Sequence, residues 1–496
     1  MDPAIAYDYF SWKVLPLIGD GLVGFKAVGG IDGQTIVPDL ATSRPEPTDG
    51  GRTYFFQLRE GIRYSNGDVV RATDFRHAIE RVFELESDGA GFFTGLAGAE
   101  ACARRPRTCD LSKGIVANDS SGTITFNLTK PDPDFLYKLA LPFAHPVPRS
   151  VPDVELPAAG VPGTGPYMLE APQSETELVL VRNPYFDTWS KAAQPDGNVE
   201  RMEWSFQSSG SIEEVSSGRA DILLEISGSQ LEQSLVRAPS QVRTSLPAQV
   251  VYAQLQAEIP PFDDVNVRRA VNYALDRARV VEILGGDVAA RATCQQIPPN
   301  FPGYRAYCPY RADTGARDET WTAPDLDTAR KLIRRSGTEG MAVTYSFDPD
   351  EYGCCEEALA NYMVEMLESL GYEARAKPHQ TYDPTKHFQM AFSFFASDYP
   401  SAANFIVPLV TCGATASTSG FCSPQIDAMV ERATRVQASD PLAATRLWEE
   451  IDRAVVDQAP HLWLANPVAA DFVSPELGNY QRNPQWGVLL SQLWLR

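Results

Sequence analysis

The sequence is poor in histidine and in positive charge. It has 5 histidines in 496 residues, and 64 acidic residues outnumber 43 lysines and arginines, for a formal net charge of −21. An acidic surface disfavours nucleic acid and anionic lipid as partners. No apolar run reaches the roughly 18 residues of a membrane-spanning helix, so none is predicted. The remaining composition is that of a globular chain of two or three domains.

Motifs for catalysis and for cofactors are also missing. There is no G-x-S-x-G, no Walker A sequence and no H-E-x-x-H. The segment Gly19–Gly24 has the spacing G-x-G-x-x-G, but Pro16 interrupts the preceding apolar run and no βαβ pattern follows. A helix end and a turn are therefore predicted there. The sequence predicts no cofactor, no metal site and no enzyme.

Cysteine is present in an ordered pattern. The 8 cysteines fall into four close pairs, none of them spaced C-x-x-C, in segments rich in proline, glycine and serine. The pairs are Cys102/Cys109, Cys294/Cys308, Cys354/Cys355 and Cys412/Cys422. An even number of cysteines at short spacing predicts local disulfides and a compartment outside the cytoplasm. The alternative is free thiols, and the sequence does not determine the connectivity.

Local patterns predict a mixed α/β chain. Strands are predicted over Thr53–Leu58 and Thr123–Leu128, because β-formers there are bounded by turn residues. The stretch Phe262–Leu284 predicts two helices, with Asp263 or Asp264 capping the first and Asp276 the second. The apolar residues expected on the buried stripe of the first helix are Val267, Ala270, Val271, Ala274 and Leu275.

Three segments in order resemble the extracytoplasmic solute-binding proteins of the peptide/nickel importers, family 5. The first is YFFQLREGIRYSNGDVVRATDFRHAIERV, residues 54–82, which is similar to the family pattern of strand, "LR-x-G-h-x-[FY]-[ST]-[DN]-G" and capped helix. The second joins GTGPYMLE, starting at Gly163, to LVRNPYF, starting at Leu180. The third is the helix of Phe262–Leu284. The resemblance runs from Asp2 to about Trp494.

The resemblance implies an α/β fold, a two-lobed periplasmic-binding-protein type II clamp with an extra small α/β domain. It implies a discontinuous lobe I over residues 1–30, 161–246 and 461–496. The extra domain would take residues 31–160, and lobe II residues 247–460. Relatives begin with an export signal and an earlier strand, which this chain does not show. Three explanations are open: the gene start is misplaced, the chain is a cut form, or it was fused to something upstream. The full-length protein is expected to be exported and lipid-anchored.

Ligand-binding residues follow from the same resemblance. An aspartate in a "W-x-x-D-Y" segment of relatives pairs with the ligand's α-amino group, and the matching segment FFASDYPSAANF implies that Asp398 does so here. Phe395 stands where relatives often carry tryptophan. Tyr399, Trp463 and Tyr7 are further candidates to line the ligand site. The alternatives are a helix cap or turn for Asp398 and core packing for the aromatic residues.

The function implied is the capture of oligopeptides or dipeptides for an ABC importer. The expected partners are a peptide and the permease subunits, with the chain acting as a monomer. No basic residue for the peptide carboxylate is identifiable, which keeps open a nickel chelate or an oligosaccharide as ligand. A further alternative is the ligand-sensing module of a larger regulatory protein.

Overall fold

The computed structural model describes residues 1–156, 160–170, 176–206, 210–313, 320–349, 355–378 and 388–496. They divide into two compact units. The first unit is Met1–Gly210 together with Pro475–Arg496, and the second is Ser211–Ser474. The second unit is thus inserted into the sequence of the first.

The helices of both units are mostly short. They are α1 (Ser11–Ile18), α2 (Ala72–Glu84), α3 (Ala99–Arg104), α4 (Phe135–Leu139), α5 (Ile212–Ser216), α6 (Gly228–Arg237), α7 (Val265–Ala274), α8 (Arg277–Ile283), α9 (Leu326–Ser336), α10 (Glu356–Ser369), α11 (Ala402–Val410), α12 (Pro424–Gln437) and α13 (Pro441–Gln458). Within the described residues, no helix combines the length and the apolarity required to cross a membrane.

The strands are short as well. They are β1 (Val23–Phe25), β2 (Ile36–Pro38), β3 (Thr53–Gln57), β4 (Ile115–Asn118), β5 (Thr123–Asn127), β6 (Tyr167–Leu169), β7 (Glu177–Arg182), β8 (Arg201–Ser205), β9 (Ile222–Leu223), β10 (Val242–Ser245), β11 (Gln249–Leu255), β12 (Ala290–Ala292), β13 (Ala342–Phe347), β14 (Glu373–Pro378), β15 (Met390–Ala396), β16 (His461–Pro467), β17 (Ala469–Val473), β18 (Leu477–Gly478), β19 (Arg482–Asn483), β20 (Gly487–Val488) and β21 (Trp494–Leu495). The strands predicted over Thr53–Leu58 and Thr123–Leu128 are confirmed as β3 and β5.

A six-stranded sheet organises the second unit, in the order β12-β16-β11-β15-β13-β14. Strand β13 pairs parallel to β14 and β15, and the other pairs are antiparallel. Successive side chains of a strand point to opposite faces. Accordingly Val251, Ala253 and Leu255 pack in one core with α7–α10, whereas Val250 and Tyr252 pack in a second core with α11–α13. The sheet is therefore covered by helices on both faces.

Smaller antiparallel sheets build the first unit. Strands β3, β5 and β4 form one, and β6, β7 and β8 form another. Helix α2 has its apolar residues Phe75, Ile79 and Val82 fully buried. The mixed α/β character predicted from the sequence is confirmed in both units.

The helix caps predicted in the second unit are confirmed. The Asp264 carboxylate accepts a 2.8 Å hydrogen bond from the backbone N–H of Asn266, at the start of α7. The Asp276 carboxylate accepts from the N–H groups of Ala278 and Arg279, at 3.0 and 3.1 Å, at the start of α8. Each cap satisfies donors that a helix leaves open at its first turn. The five residues predicted on the buried stripe of α7 are all buried.

Three of the predicted local disulfides are present. They join Cys102 to Cys109, Cys294 to Cys308, and Cys412 to Cys422. The fourth predicted pair, Cys354/Cys355, includes a residue outside the described ranges. The disulfide at Cys412 holds a loop that also contacts α12, because the Cys412 N–H donates a 3.1 Å hydrogen bond to the Asp427 carboxylate.

The domain boundaries implied by the family resemblance stay a prediction, and the two compact units are divided at other positions. Residues 461–474 were expected in lobe I, yet β16 pairs with β11 and β12 inside the sheet of the second unit. Residues 211–246 also fall in the second unit, because β10 and β9 pair with β17. The segment 31–160, expected as a separate small domain, groups with the rest of the first unit.

A buried ion pair anchors the first residues of the chain. The Arg81 guanidinium of α2 donates two hydrogen bonds to the Asp2 carboxylate, at 3.0 and 2.8 Å, and both side chains are buried. It also donates to the carbonyls of Pro152 and Val154. A bidentate pair with further hydrogen bonds is the geometry in which a buried charge is well compensated.

We expect Asp2→Ala to destabilise the first unit by about 3–5 kcal/mol, because it removes the bidentate carboxylate from the buried Arg81 charge and leaves only the Asp153 carboxylate, 3.8 Å from the Arg81 Nε. Hydrogen–deuterium exchange of α2 measures the change. Glu100→Ala, which removes an exposed ion pair with Arg104, is the matched control and should cost less than about 1 kcal/mol. Equal hydrogen–deuterium exchange of α2 in the Asp2→Ala and Glu100→Ala variants would contradict a stabilising role for the buried Asp2–Arg81 pair.

Removing the Cys412–Cys422 disulfide by a double serine substitution should destabilise the second unit by roughly 3 kcal/mol. The bond closes a loop with a sequence separation of 10, and opening it enlarges the unfolded ensemble. Urea unfolding of the wild type and the variant measures the loss of stability. Hydrogen–deuterium exchange in α12 shows whether the loss falls in the second unit. Unchanged protection of α12 would show that the loop contributes little to the stability of the second unit.

Candidate ligand-binding site

A tight turn at the end of β15 carries the predicted ligand residue Asp398. The turn is held at both sides: the Ser397 N–H donates to the carbonyl of Ala248 at 2.9 Å, and the Ser397 hydroxyl donates to the carbonyl of Tyr399 at 2.6 Å. Helix α11 starts soon after, with Ser401 as its N-cap residue. The turn is therefore fixed between the central sheet and a packed helix of the second unit.

The Asp398 side chain is oriented by Asn404 of α11. The backbone N–H of Asp398 donates to the Asn404 amide oxygen at 2.8 Å, and the Asn404 amide nitrogen donates to the Asp398 carboxylate at 2.9 Å. Asn404 is buried, and Asp398 is half-buried. One of these hydrogen bonds holds the carboxylate and the other holds the Asp398 backbone, so the buried Asn404 fixes the direction of the carboxylate, as a recognition site requires.

The two aromatic residues nearest in sequence to Asp398 differ in exposure. Phe395 is half-buried; its backbone lies opposite Val250 of β11, and its ring packs edge-to-face against Phe405 at 5.4 Å between centroids. Tyr399 is buried. Of these two, Phe395 presents more surface beside the turn.

Trp463 lies in the core of the second unit. Its side chain is 0% exposed, and its indole N–H donates to the Gln296 amide oxygen at 3.3 Å. It belongs to the core that α11–α13 cover. A side chain without exposed surface does not line a ligand site in this conformation, so the environment of Trp463 is that of core packing.

Tyr7 lies in the first unit and forms part of an aromatic cluster. Its side chain is 40% exposed, and its ring centroid lies 5.3 Å from that of Trp12, 6.0 Å from that of Phe92 and 5.4 Å from that of Phe143. The Trp12 indole N–H donates to the carbonyl of Ala6 at 3.0 Å, which fixes that ring. We call Tyr7, Trp12, Phe92 and Phe143 the Tyr7 cluster.

The partners of Tyr7 are not predictable from the sequence pattern. Phe92 and Phe143 are far from Tyr7 along the chain, and no periodicity joins them. The only available signal was the aromatic density of the segment YDYFSW, residues 7–12. Within the described residues there is no group of three or more histidine, cysteine or acidic side chains arranged to hold a metal ion.

Comparison with known proteins decides the family. A family model described as bacterial extracellular solute-binding proteins, family 5 middle, matches residues 35–417. The chain belongs to this family. The resemblance carried by the segments at Tyr54, Gly163 and Phe262 is confirmed, and so is the prediction of a solute-binding protein.

Curated relatives and solved structures extend the match over nearly the whole chain. A probable di/tripeptide-binding protein 5 of Pseudomonas aeruginosa is 25% identical, over 93% of this chain and 87% of that protein. The dipeptide-binding protein of Escherichia coli is 22% identical, over 93% of this chain and 86% of that protein. Among solved structures, clavulanic acid biosynthesis oligopeptide binding protein 2 has a TM-score of 0.86 at 25% identity, covering 100% of this chain and 93% of that chain. The predicted fold class is confirmed.

Trp463 is buried and Tyr7 is partly exposed, so replacing each with alanine should lower the free energy of unfolding by different amounts. Trp463→Ala should lower the free energy of unfolding by about 3–5 kcal/mol, because it leaves a large cavity in the core. Tyr7→Ala should cost less, since part of that ring already contacts solvent. Urea unfolding of both variants measures the difference. A Trp463→Ala protein of unchanged stability would contradict the assignment of Trp463 to the core.

Proposed function

We propose that this protein captures dipeptides or oligopeptides as the binding subunit of an ABC importer. The observation that carries the proposal is the match to di/tripeptide- and dipeptide-binding relatives over 93% of the chain. The structure also supports the proposal. The hydrogen bonds between Asp398 and Asn404 fix the direction of the Asp398 carboxylate before any ligand binds.

The role proposed for Asp398 is to pair with the α-ammonium group of the peptide. An ammonium carries three N–H donors, and a carboxylate accepts several hydrogen bonds. A charge-assisted pair of this kind is stronger than a neutral hydrogen bond. Phe395, beside the turn, is proposed to contact the apolar parts of the ligand. The ligand-binding role of Tyr7 stays a prediction. Tyr399, which is buried, is proposed to stabilise the turn by packing.

The proposed location is outside the cytoplasm. The family is described as extracellular, and three disulfides persist most readily in an oxidising compartment. This weighs against the alternative of a cytoplasmic ligand sensor. We also propose that the full-length form carries a lipid anchor, that its partners are permease subunits, and that it is a monomer. The acidic net charge of −21 argues against a nucleic-acid partner.

No catalytic step is proposed. The family is solute-binding, and the role we assign to Asp398 is recognition of a charge rather than proton transfer. A peptide recovered unchanged after prolonged incubation with the protein would support this, and the appearance of hydrolysis products would contradict it.

The test is a double-mutant cycle on the protein and on the ligand. Peptides released from the purified, denatured protein are identified by mass spectrometry, and one is resynthesised with a free and with an acetylated N-terminus. Asp398→Asn should weaken binding of the free peptide by at least about 2 kcal/mol, which is roughly thirtyfold in Kd. It should change binding of the acetylated peptide little, because the ammonium partner is already gone.

The control is Glu431→Gln, which alters an exposed ion pair of α12 and should leave both affinities unchanged. Calorimetry measures all four combinations. An equal loss for the free and the acetylated peptide would remove Asp398 from the amine site while leaving peptide capture intact. Recovery of a sugar or a metal chelate in place of peptides would overturn the proposed ligand class.

A further inference from the structure

A segment of the first unit, residues 151–154, lies along α2 and is held there by side chains of that helix. The Arg81 guanidinium donates to two backbone carbonyls of the segment, at 3.3 and 3.1 Å. The Nε2 atom of His77 lies 3.2 Å from the carbonyl oxygen of Val151. We call residues 151–154 the clasped segment. Two basic side chains of one helix therefore bind its backbone.

The Asp153 side chain of the clasped segment faces three charged or titratable residues of α2. Its carboxylate lies 3.8 Å from the Arg81 Nε and 3.8 Å from the His77 Nδ1. The Glu84 carboxyl group is within hydrogen-bonding reach of it. His77, Arg81 and Glu84 follow one another at spacings of four and three residues, so they share one face of the helix. Asp153 therefore meets two basic groups and one acidic group.

The contact between Glu84 and Asp153 depends on a proton. An ionised carboxylate has only acceptor oxygens, whereas a protonated carboxyl group also has one O–H donor. The two groups therefore form a hydrogen bond when one of them is protonated. When both are ionised, two like charges face each other and repel. The Asp153 side chain is 49% exposed, so its proton can exchange with solvent.

The other charged groups around this pair come from α2, from the residues before the clasped segment and from the start of the chain. They are Asp2, Glu80, Arg81 and Arg149. Arg81 is engaged by Asp2 through hydrogen bonds of 3.0 and 2.8 Å. Glu80 forms an ion pair with Arg76 at 3.7 Å. Arg81 therefore compensates the carboxyl pair only in part, because its closest anionic partner is Asp2.

We propose that Glu84 and Asp153 form a pH-sensitive clasp, which fastens the clasped segment to α2 when they share a proton and loosens it when both are ionised. The clasp belongs to the first unit and does not rest on the proposed function. Arg81 binds both the clasped segment and Asp2. The clasp therefore also acts on the anchor of the first residues of the chain.

Glu84 sets the pH at which the clasp loosens. Burial, followed by the charges of Asp153 and Glu80, raises the pKa of Glu84 from 4.5 to about 7. The fastened state thus favours the protonated acid, so its stabilisation is complete below pH 4.5 and is lost as the pH rises through 7. Burial lowers the pKa of His77 below 6.5. Above that pH the histidine is neutral, and Glu84 alone gives the dependence.

The experiment measures hydrogen–deuterium exchange of residues 147–154 in the whole protein between about pH 6.5 and 8.5. At each pH the wild-type rate is divided by the rate of Glu84→Gln, which cancels the intrinsic pH dependence of exchange. We expect this ratio to rise about threefold, because Glu84 ionises in the wild type and glutamine does not. Glu100→Gln, which alters an exposed acid of the same unit, is the control and should follow the wild type.

A ratio that stays constant over this pH range would overturn the clasp. Asp153→Asn is a second test and should give the same profile as Glu84→Gln, because removing either acid removes the repulsion. A wild-type profile in Asp153→Asn would overturn the pairing of the two acids. His77→Gln should keep the wild-type rise, and its loss there would assign the effect to the histidine instead. Asp153→Asn becomes the reference if Glu84→Gln does not fold, as judged by circular dichroism.

Discussion

The pairing of β11 with β16 is the constraint on which the second unit depends. It joins strands at Gln249–Leu255 and His461–Pro467, more than two hundred residues apart in the chain. Both strands send alternate side chains into two cores, so that Leu462 and Leu464 face one set of helices and Trp463 faces the other. A one-residue change of register would exchange these environments. The helices of both faces are therefore fixed by this pairing.

The position of Asp398 follows from the same sheet. Strand β15 pairs with β11 along its whole length, from Gln249 opposite Ala396 to Leu255 opposite Met390. The turn that follows β15 thus begins at a defined edge of the sheet, and α11, packed in the core below, supplies Asn404 to orient the carboxylate. A residue on a turn gains the rigidity of a site when both of its flanking elements are part of a core.

Features determined by local sequence were predictable, and features determined by distant pairing were not. The caps at Asp264 and Asp276 and the buried stripe of α7 depend on neighbours within a few positions. The assignment of 461–474 to the second unit depends on a partner strand that no local pattern reveals. The burial of Trp463 is not predictable for the same reason. A tryptophan in an apolar strand has the same local sequence pattern whether its side chain faces a core or a ligand.

The aromatic partners of Tyr7 and the burial of Asp20 are not predictable from local sequence, for a related reason. An aspartate between Gly19 and Gly21 reads as a residue of an exposed turn, since both glycine and aspartate favour turns. Its burial arises because residues 163–165 and 193–194 pack over that turn from elsewhere in the chain, as the hydrogen bond from Asp20 to Thr164 shows. Sequence identifies the type of a residue, whereas its solvation depends on what the tertiary structure places around it.

Asp2 and Asp20 show how the first unit treats buried charge in two ways. The Asp2 carboxylate receives two hydrogen bonds from Arg81, and the Arg81 guanidinium receives further acceptors from Pro152 and Val154. Asp20 is equally buried, but its hydrogen bonds come from the neutral side chains of Thr164 and Gln194, and burial raises its pKa to about 6. An isolated buried carboxylate is unfavourable by several kcal/mol unless it takes up a proton or a cation. The first unit therefore compensates the charge of Asp2 with a cation, whereas at Asp20 burial favours the protonated form of the carboxyl group.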